Sequence, residues 1–280
     1  MGRPDKGTWV ALPSTLLMED RDLRDKTLKL GLIARALGIY GVEKVFIFRD
    51  PAEDEVDDTS LIVEILRYIE TPQYLRKKLY PIKPRLAYVG LLPPLRIPSH
   101  KPNLGMAGLK DGEIREAVVG EFRGDLVADV GVQAPLPFDG SAKAGSRVTV
   151  IIHRHGRDLS CSQVDRSQVS DYWGFEVSEQ RKLEPLLVDG RVGLAVATSR
   201  RGTPVQDVWS AFSSAVKAAG KVLLVFGAPK RGLLEMYHEE LLQRDCDFIL
   251  NTIPDQKTET VRTEEALMAT LAVVSIARRV

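Results

Sequence analysis

Cysteine is almost missing: Cys161 and Cys246 are the only two in 280 residues. Two widely spaced thiols build no disulfide framework, and their spacing matches no zinc pattern. Long apolar runs are missing too. The richest, 266–277, is too short for a bilayer span of about 20 residues. The amino terminus, Met-Gly-Arg-Pro-Asp-Lys-Gly, lacks the apolar segment of a secretory signal, so the expected location is cytoplasmic. Neither charge sign dominates, with 39 Lys and Arg against 38 Asp and Glu, so the net charge of +1 argues neither for nor against nucleic acid. No internal repeat or low-complexity segment suggests a solenoid or a disordered tail. No predicted strand is followed by G-x-G-x-x-G, which excludes the Rossmann fingerprint.

What is present describes a globular chain: 44% apolar and 28% charged residues, long enough for two domains. Residues 9–12 read as a strand. Residues 22–37 read as a helix with Leu23, Leu30, Ile33, Ala34 and Leu37 inward and Gly38 as its stop. A second strand is expected at 42–48 and a second helix at 61–69, capped by Asp58 or Thr59 and ended by Thr71-Pro72. That β-α-β-α order is a parallel-sheet pattern. Between them, 50–58 packs six carboxylates into nine residues without EF-hand spacing, and reads as a solvated acidic loop.

The character changes over 71–103, which holds seven prolines, seven basic residues and three tyrosines but no acid. It reads as an extended segment at a domain boundary. Short β-rich runs follow at 114–122, 126–132, 147–153 and 159–164, as in a small oligonucleotide-binding type barrel. His153 and His155 share a strand face, with only Cys161 or Asp158 nearby to offer a third ligand, so no metal site is expected and they read as surface or partner-facing histidines. Residues 171–177 lead back to the first domain, and helical residues are expected over 179–187.

The last third is the most informative. Strands are expected at 192–197, 222–226 and 248–250, each followed by a polar or glycine-containing loop and then a helix. The helix over 205–219 turns Val208, Trp209, Phe212 and Val216 inward, and the next sets its period with Leu233, Tyr237 and Leu241. Consecutive strand-loop-helix units place their loops at the carboxyl ends of parallel strands, where open α/β sheets bind ligands. Gly227 and Gly232 open with P-loop spacing, but Leu233 and Leu234 stand where Lys and Ser/Thr are required. A triphosphate is not expected on that ground, and a plain turn remains an equal account of the glycines. Thr260 or Thr263 caps the final helix, with Glu264 and Glu265 at the positive end of its dipole.

The loop Asn-Thr-Ile-Pro-Asp-Gln-Lys-Thr-Glu-Thr-Val-Arg-Thr-Glu-Glu-Ala at 251–266 resembles the last motif of the SPOUT class of RNA methyltransferases. Gly-Ala-Pro-x-x-Gly at 227–232 resembles the motif before it, and Val-Ala-Thr-Ser-Arg-Arg-Gly at 196–202 the first of three. The closest resemblance is to an archaeal and eukaryotic subfamily with an inserted barrel. It implies an α/β fold: a trefoil-knotted parallel-sheet methyltransferase domain over 1–90 and 171–280, with an OB-like, RNA-binding barrel over 91–170. It implies S-adenosylmethionine held by Thr198, Ser199, Arg200, Gly227, Gly232, Asn251, Thr252, Ile253 and Gln256. Arg35, Arg200 and Ser14 are its candidates for acting on the acceptor, although an interhelix arginine is an equal account of Arg35. Arg262 and Glu264 read equally well as structural.

Methyl transfer to a pyrimidine C5 needs a cysteine adduct, and Cys246 stands in no cysteine motif and reads as a structural thiol. Transfer to a base nitrogen, uridine N3 above all, or to a ribose 2′-oxygen needs only positioning and proton removal. Ribosomal RNA is the expected substrate, held by Arg76, Lys77, Lys78, Arg147, Arg154 and Arg157. A homodimer is expected, built partly on the last helix, which is apolar nearly all round. The alternative is a non-catalytic RNA-binding or ribosome assembly protein that keeps the fold.

Overall fold

The computed structural model describes residues 6–51, 58–103 and 105–279. The acidic loop expected over 50–58 lies mostly outside them, at 52–57. The chain divides into two compact units. The first takes in the chain as far as Arg67, Arg85–Pro93, and everything from Phe175 on. The second comprises Tyr68–Pro84 and Pro94–Gly174.

The first unit opens with β1 (Gly7–Pro13), α1 (Leu23–Ile39), β2 (Lys44–Phe48) and α2 (Thr59–Glu70), along which the chain enters the second unit. Every residue of β1 is buried, as a strand with β2 and β10 on its two edges and both faces covered must be. Asp22 caps α1, its carboxylate accepting from the amide of Asp25 at 2.8 Å. The helix runs through the expected stop at Gly38, and the left-handed residue that turns the chain is Gly41, φ 66°.

The second unit holds α3 (Gln73–Leu79) and a closed barrel of β3 (Ile114–Phe122), β4 (Asp125–Asp129), β5 (Leu136–Asp139), β6 (Arg147–His155) and β7 (Asp158–Gln163). Ala117, Ala128, Val130, Leu136, Val150, Ile152 and Cys161 fill its core. The four-residue β5, with Pro137 inside it, is too short and too poor in β-formers for periodicity to find. The acid-free segment 71–103 is not an extended linker. It folds into α3 and two short 3₁₀ turns, and buries Leu75, Leu86, Leu95 and Ile97.

Back in the first unit come β8 (Glu176–Gln180), α4 (Glu184–Leu187), β9 (Leu194–Pro204), α5 (Trp209–Ala218), β10 (Lys221–Val225), α6 (Leu233–Met236), α7 (Glu239–Asp245), β11 (Phe248–Asn251) and α8 (Thr263–Ala277). Residues 179 and 180, expected to be helical, belong to β8, which pairs in parallel with β2. The helix expected from 205 begins as a 3₁₀ turn, and Val205 rather than Val208 or Trp209 is buried. The expected helix after Gly232 is two short ones, broken at Tyr237 and His238. Neither Thr260 nor Thr263 caps α8. Glu265 reaches back instead, accepting from the amide of Arg262 at 2.9 Å.

All pairings in the six-stranded sheet are parallel, in the order β11-β9-β10-β1-β2-β8. α1 and α8 pack together, yet Leu32 and Ile39 on the first and Met268 and Ile276 on the second remain exposed. Among the described residues no helix is long and apolar enough to cross a membrane.

Candidate functional site

The strand order fixes where a site can form. β9 lies between β11 and β10, so the chain leaving β10 must pass back across β9 to reach β11. The loops after all three strands therefore meet at one end of the sheet, the crevice position of open α/β folds. The register between β9 and β11 also jumps there. Ile249 faces Ala197, but the next residue, Leu250, faces Thr203. Residues 198–202 bow out of the ladder, so the loop expected over 198–204 is an excursion within a continuous strand.

A cavity of about 280 Å³ opens at this junction. All nine residues predicted to hold a cofactor line it, from Thr198 in the bow to Gln256 after β11. Side chains tie the three loops together. Thr198 Oγ1 donates to the carbonyl of Val225 on β10 at 2.9 Å. Asn251 Nδ2 donates to the carbonyl of Arg200 at 3.1 Å, while its Oδ1 accepts from the amide of Ile253 at 3.0 Å. Arg200 Nη1 reaches the carbonyl of Glu259 at 3.0 Å, and Gln256 Nε2 donates to the carbonyl of Thr258 at 2.9 Å. Thr252 Oγ1 lies 2.8 Å from Thr270 Oγ1 on α8. These residues shape the wall as much as they line it.

The glycines serve different ends. A Cβ on Gly227 would sit 2.7 Å from the backbone nitrogen of Leu233, and one on Gly202 would sit 2.7 Å from the carbonyl oxygen of Ile249. Both mark places where two backbone segments touch. A Cβ on Gly232 would meet nothing within 4 Å, so this glycine leaves space free at the cavity wall.

Sequence reasoning missed three charged lining residues: Arg201, Lys230 and Glu235. Arg201 and Lys230 are exposed and add to Arg200 a cationic rim. Among the described residues Glu235 is the only carboxylate on the wall; its Oε2 accepts from the amide of Gly232 at 3.1 Å, and Arg201 Nη2 lies 3.4 Å from its Oε1. The signal that could have found it is a carboxylate three residues after a loop-closing glycine, the spacing of a helix-start contact.

Two of the acceptor-side candidates lie elsewhere. Ser14 is buried after β1, where its Oγ accepts from the amide of Asp50 at 3.1 Å. Thr15 donates to Asp50 at 3.0 Å, and Asp50 forms an ion pair with Arg231 of the loop after β10. Ser14 thus belongs to a buried cluster that anchors that loop. Arg35 is half-buried on α1, about 18 Å along the helix from the end nearest the carboxyl edge of β1.

The predicted RNA-binding residues divide in the same way. Arg76 is spent on the carbonyls of Thr71 and Ile69, at 2.9 and 3.0 Å, and lies over the Tyr68 ring. Arg154 donates to the carbonyls of Leu109 and Met106 at 3.0 and 2.8 Å. Arg147 bridges two buried carboxylates, Glu70 at 2.6 Å and Glu116 at 2.5 Å. Glu116 also accepts from Trp173 Nε1 at 2.6 Å and Thr149 Oγ1 at 2.7 Å. Burial pushes the Glu70 carboxyl up, while Arg147 and Arg166 pull it down. His100 Nε2 donates to the Glu70 carbonyl at 2.7 Å, and burial holds this imidazole down to about 4. Lys77 and Arg157 stay exposed, and Lys78, exposed too, pairs with Asp129.

His153 Nε2 is 2.7 Å from Ser162 Oγ, and among the described residues no group of three His, Cys, Asp or Glu is placed to hold a metal. Burial pushes both thiols, Cys161 and Cys246, up to about 12. Neither thiol lines the cavity.

Comparison with known proteins bears directly on this cavity. Residues 7–274 match the family described as "Putative RNA methyltransferase". An uncharacterized protein from Haloarcula marismortui is 33% identical over 96% of this chain and 99% of its own length. A human protein named 28S rRNA (uridine-N(3))-methyltransferase is 30% identical over 94% of this chain and 76% of its own. Its counterpart of the same name in Drosophila melanogaster is 28% identical over 94% of this chain and 60% of that one. With the match running from β1 into α8, and so across every loop that lines the cavity, this chain belongs to that family of RNA methyltransferases.

Proposed function

We propose that this enzyme transfers a methyl group from S-adenosylmethionine to a ring nitrogen, N3, of a uridine in ribosomal RNA. The observation that carries the reading is the convergence of the three motif-bearing loops on one cavity. Its walls fit the donor. Phe226, Leu250, Ile253, Val261 and Ala266 offer an apolar side for the adenine. The cations Arg200, Arg201 and Lys230 suit its carboxylate, and the glycine loop lets backbone amides approach. When bound, the donor would supply an activated methyl group on sulfonium. The chain's own task would be to hold the acceptor in line and exclude water. The choice of ribosomal RNA and of uridine N3 follows the names of the human and fly relatives.

Support for a trefoil knot comes from the return of the chain across β9 between β10 and β11. Support for a homodimer comes from Leu32, Ile39, Met268 and Ile276, apolar side chains left in water on two packed helices. Light scattering at micromolar concentration checks the dimer; a monomer there would withdraw it. Nucleoside mass spectrometry of ribosomal RNA from a deletion strain, before and after complementation, tests the reaction. Loss and return of 3-methyluridine is expected. Loss of a ribose-methylated nucleoside instead would overturn the choice of acceptor, and no change at all would overturn the substrate.

A further inference from the structure

We infer that Glu235 accepts the proton which the acceptor nitrogen must lose when it is methylated. This rests on the reading of the reaction as transfer to uridine N3. That nitrogen carries a hydrogen, and its electron pair is delocalised into two neighbouring carbonyls, so it attacks well only as the hydrogen leaves. A base within reach of the cavity is therefore required.

The wall offers one. Its other polar residues are hydroxyls, amides and the cations Arg200, Arg201 and Lys230. Among the described residues no histidine or thiol lines it, and Glu235 is its single carboxylate. The side chain is half-exposed, 49%, so substrate can reach it. Its two contacts, 3.1 Å to the Gly232 amide and 3.4 Å to Arg201 Nη2, are longer than the 2.7–2.9 Å of strong charge-assisted bonds. A carboxylate has about four lone-pair positions, so two weak contacts leave room for a proton. In the step, the N3 hydrogen passes to a Glu235 oxygen as the N3 pair forms the N–CH₃ bond. The S–CH₃ bond breaks with its electrons staying on sulfur, leaving a neutral thioether. Arg201, beside Glu235, would favour the negative charge building on the uridine carbonyls.

A purely structural Glu235 would close the turn before α6 and do nothing more. Glu235→Gln separates the two roles, because its amide oxygen still accepts from the Gly232 amide but takes no proton. The full chain is assayed in single turnovers on RNA that the wild type methylates, from neutral to mildly alkaline pH. The variant is expected to lose 10²–10⁴-fold at neutral pH. Its rate should then rise tenfold per pH unit, because only spontaneously ionised uridine reacts. Replacing the target by 5-fluorouridine, a more acidic imide, should restore much of the loss. Donor affinity by calorimetry and the urea midpoint should stay at wild-type values. A rate within a few-fold of wild type, with an unchanged pH profile, overturns the inference. So does a loss that tracks weaker donor binding or lower stability, which would leave Glu235 as a turn residue. If the wild-type product is a ribose-methylated nucleoside, the reading of the reaction fails, and the inference with it. If the product is 3-methyluridine and the variant keeps pace, the inference fails alone.

Discussion

Alanine at Gly227 and alanine at Gly232 should move stability in opposite directions, although the two glycines face each other across one short loop. At Gly227 the new Cβ would stand 2.7 Å from the backbone nitrogen of Leu233 and 2.9 Å from the Cα of Gly232. An ordinary contact needs at least 3.4 Å, and the obstructing atoms are backbone, so the loop must shift by several tenths of an ångström. Overpacking of that kind costs about 1–3 kcal/mol. At Gly232 the backbone, φ −70° and ψ 167°, suits any residue, and the Cβ finds open space. The substitution there only restricts the unfolded chain and should add about 0.4–1 kcal/mol. Urea unfolding of the full chain, with unchanged m-values, reads both effects as shifts of the midpoint. Calorimetry adds the functional arm: Gly232→Val should fold normally yet bind S-adenosylmethionine at least tenfold more weakly (about 1.4 kcal/mol), because its branches occupy cavity space. Gly227→Ala as stable as wild type would refute the close approach. Gly232→Val with intact donor binding would remove the donor from this cavity.

Arg147→Met should lower stability by about 3–5 kcal/mol, because Glu70 and Glu116 would stay buried without their shared partner; a urea-derived loss under about 1 kcal/mol would show that the pair is compensated by other groups. The depressed His100 imidazole gives a signed pH effect. Between its ordinary value near 6.5 and about 4, the unfolded chain binds a proton that the folded one refuses, so stability falls as pH falls through that window. The contribution is at most about 3 kcal/mol, and His100→Gln should flatten that part of the wild-type profile; an unchanged profile would place the effect elsewhere. Lys77→Gln with Lys78→Gln should reduce the salt slope of RNA binding by about 1.4, each phosphate given up accounting for about 0.7. Arg76 is best left alone in that experiment, since its bonds to Thr71 and Ile69 hold the segment, and an unchanged slope would move the RNA off α3.

The buried strands of the sheet could be read in the sequence because parallel strands covered on both faces are continuous apolar runs, as Val10, Ala11 and Leu12 show. The loops at 227–232 and 251–256 stood out for the opposite reason, being polar or glycine-containing punctuation directly after such runs. What escaped was set by contacts between distant residues. Nothing local says that Arg147 meets Glu70, 77 positions away, and so a cation read as RNA-facing is one held between buried carboxylates. Ser14 was an acceptor-side candidate because its partner, Asp50, lies 36 residues on and out of sight of any local pattern. Glu235 was passed over because a glutamate at the start of a helix is ordinary, and only the cavity around it makes it stand out as a carboxylate there. The helix end at Gly38 failed for a simpler reason. Glycine permits a stop without requiring one, and Gly41 supplied the left-handed turn.

The placement of β1 has a consequence for how the chain is made. Gly7 pairs with Lys221, 214 positions later, and the Arg278 guanidinium closes on the Gly7 carbonyl at 2.6 Å. A ribosome adding about 5–20 residues per second would leave one side of the first strand without its neighbour for about 10–40 s. Its other edge can dock on β2 almost at once, so the nascent sheet grows first in one direction and waits in the other. During that wait an unpaired edge of buried-type residues faces whatever surrounds the emerging chain, the surface that chaperones shield and stalled chains aggregate through. Premature termination before Lys221 would make the interval permanent.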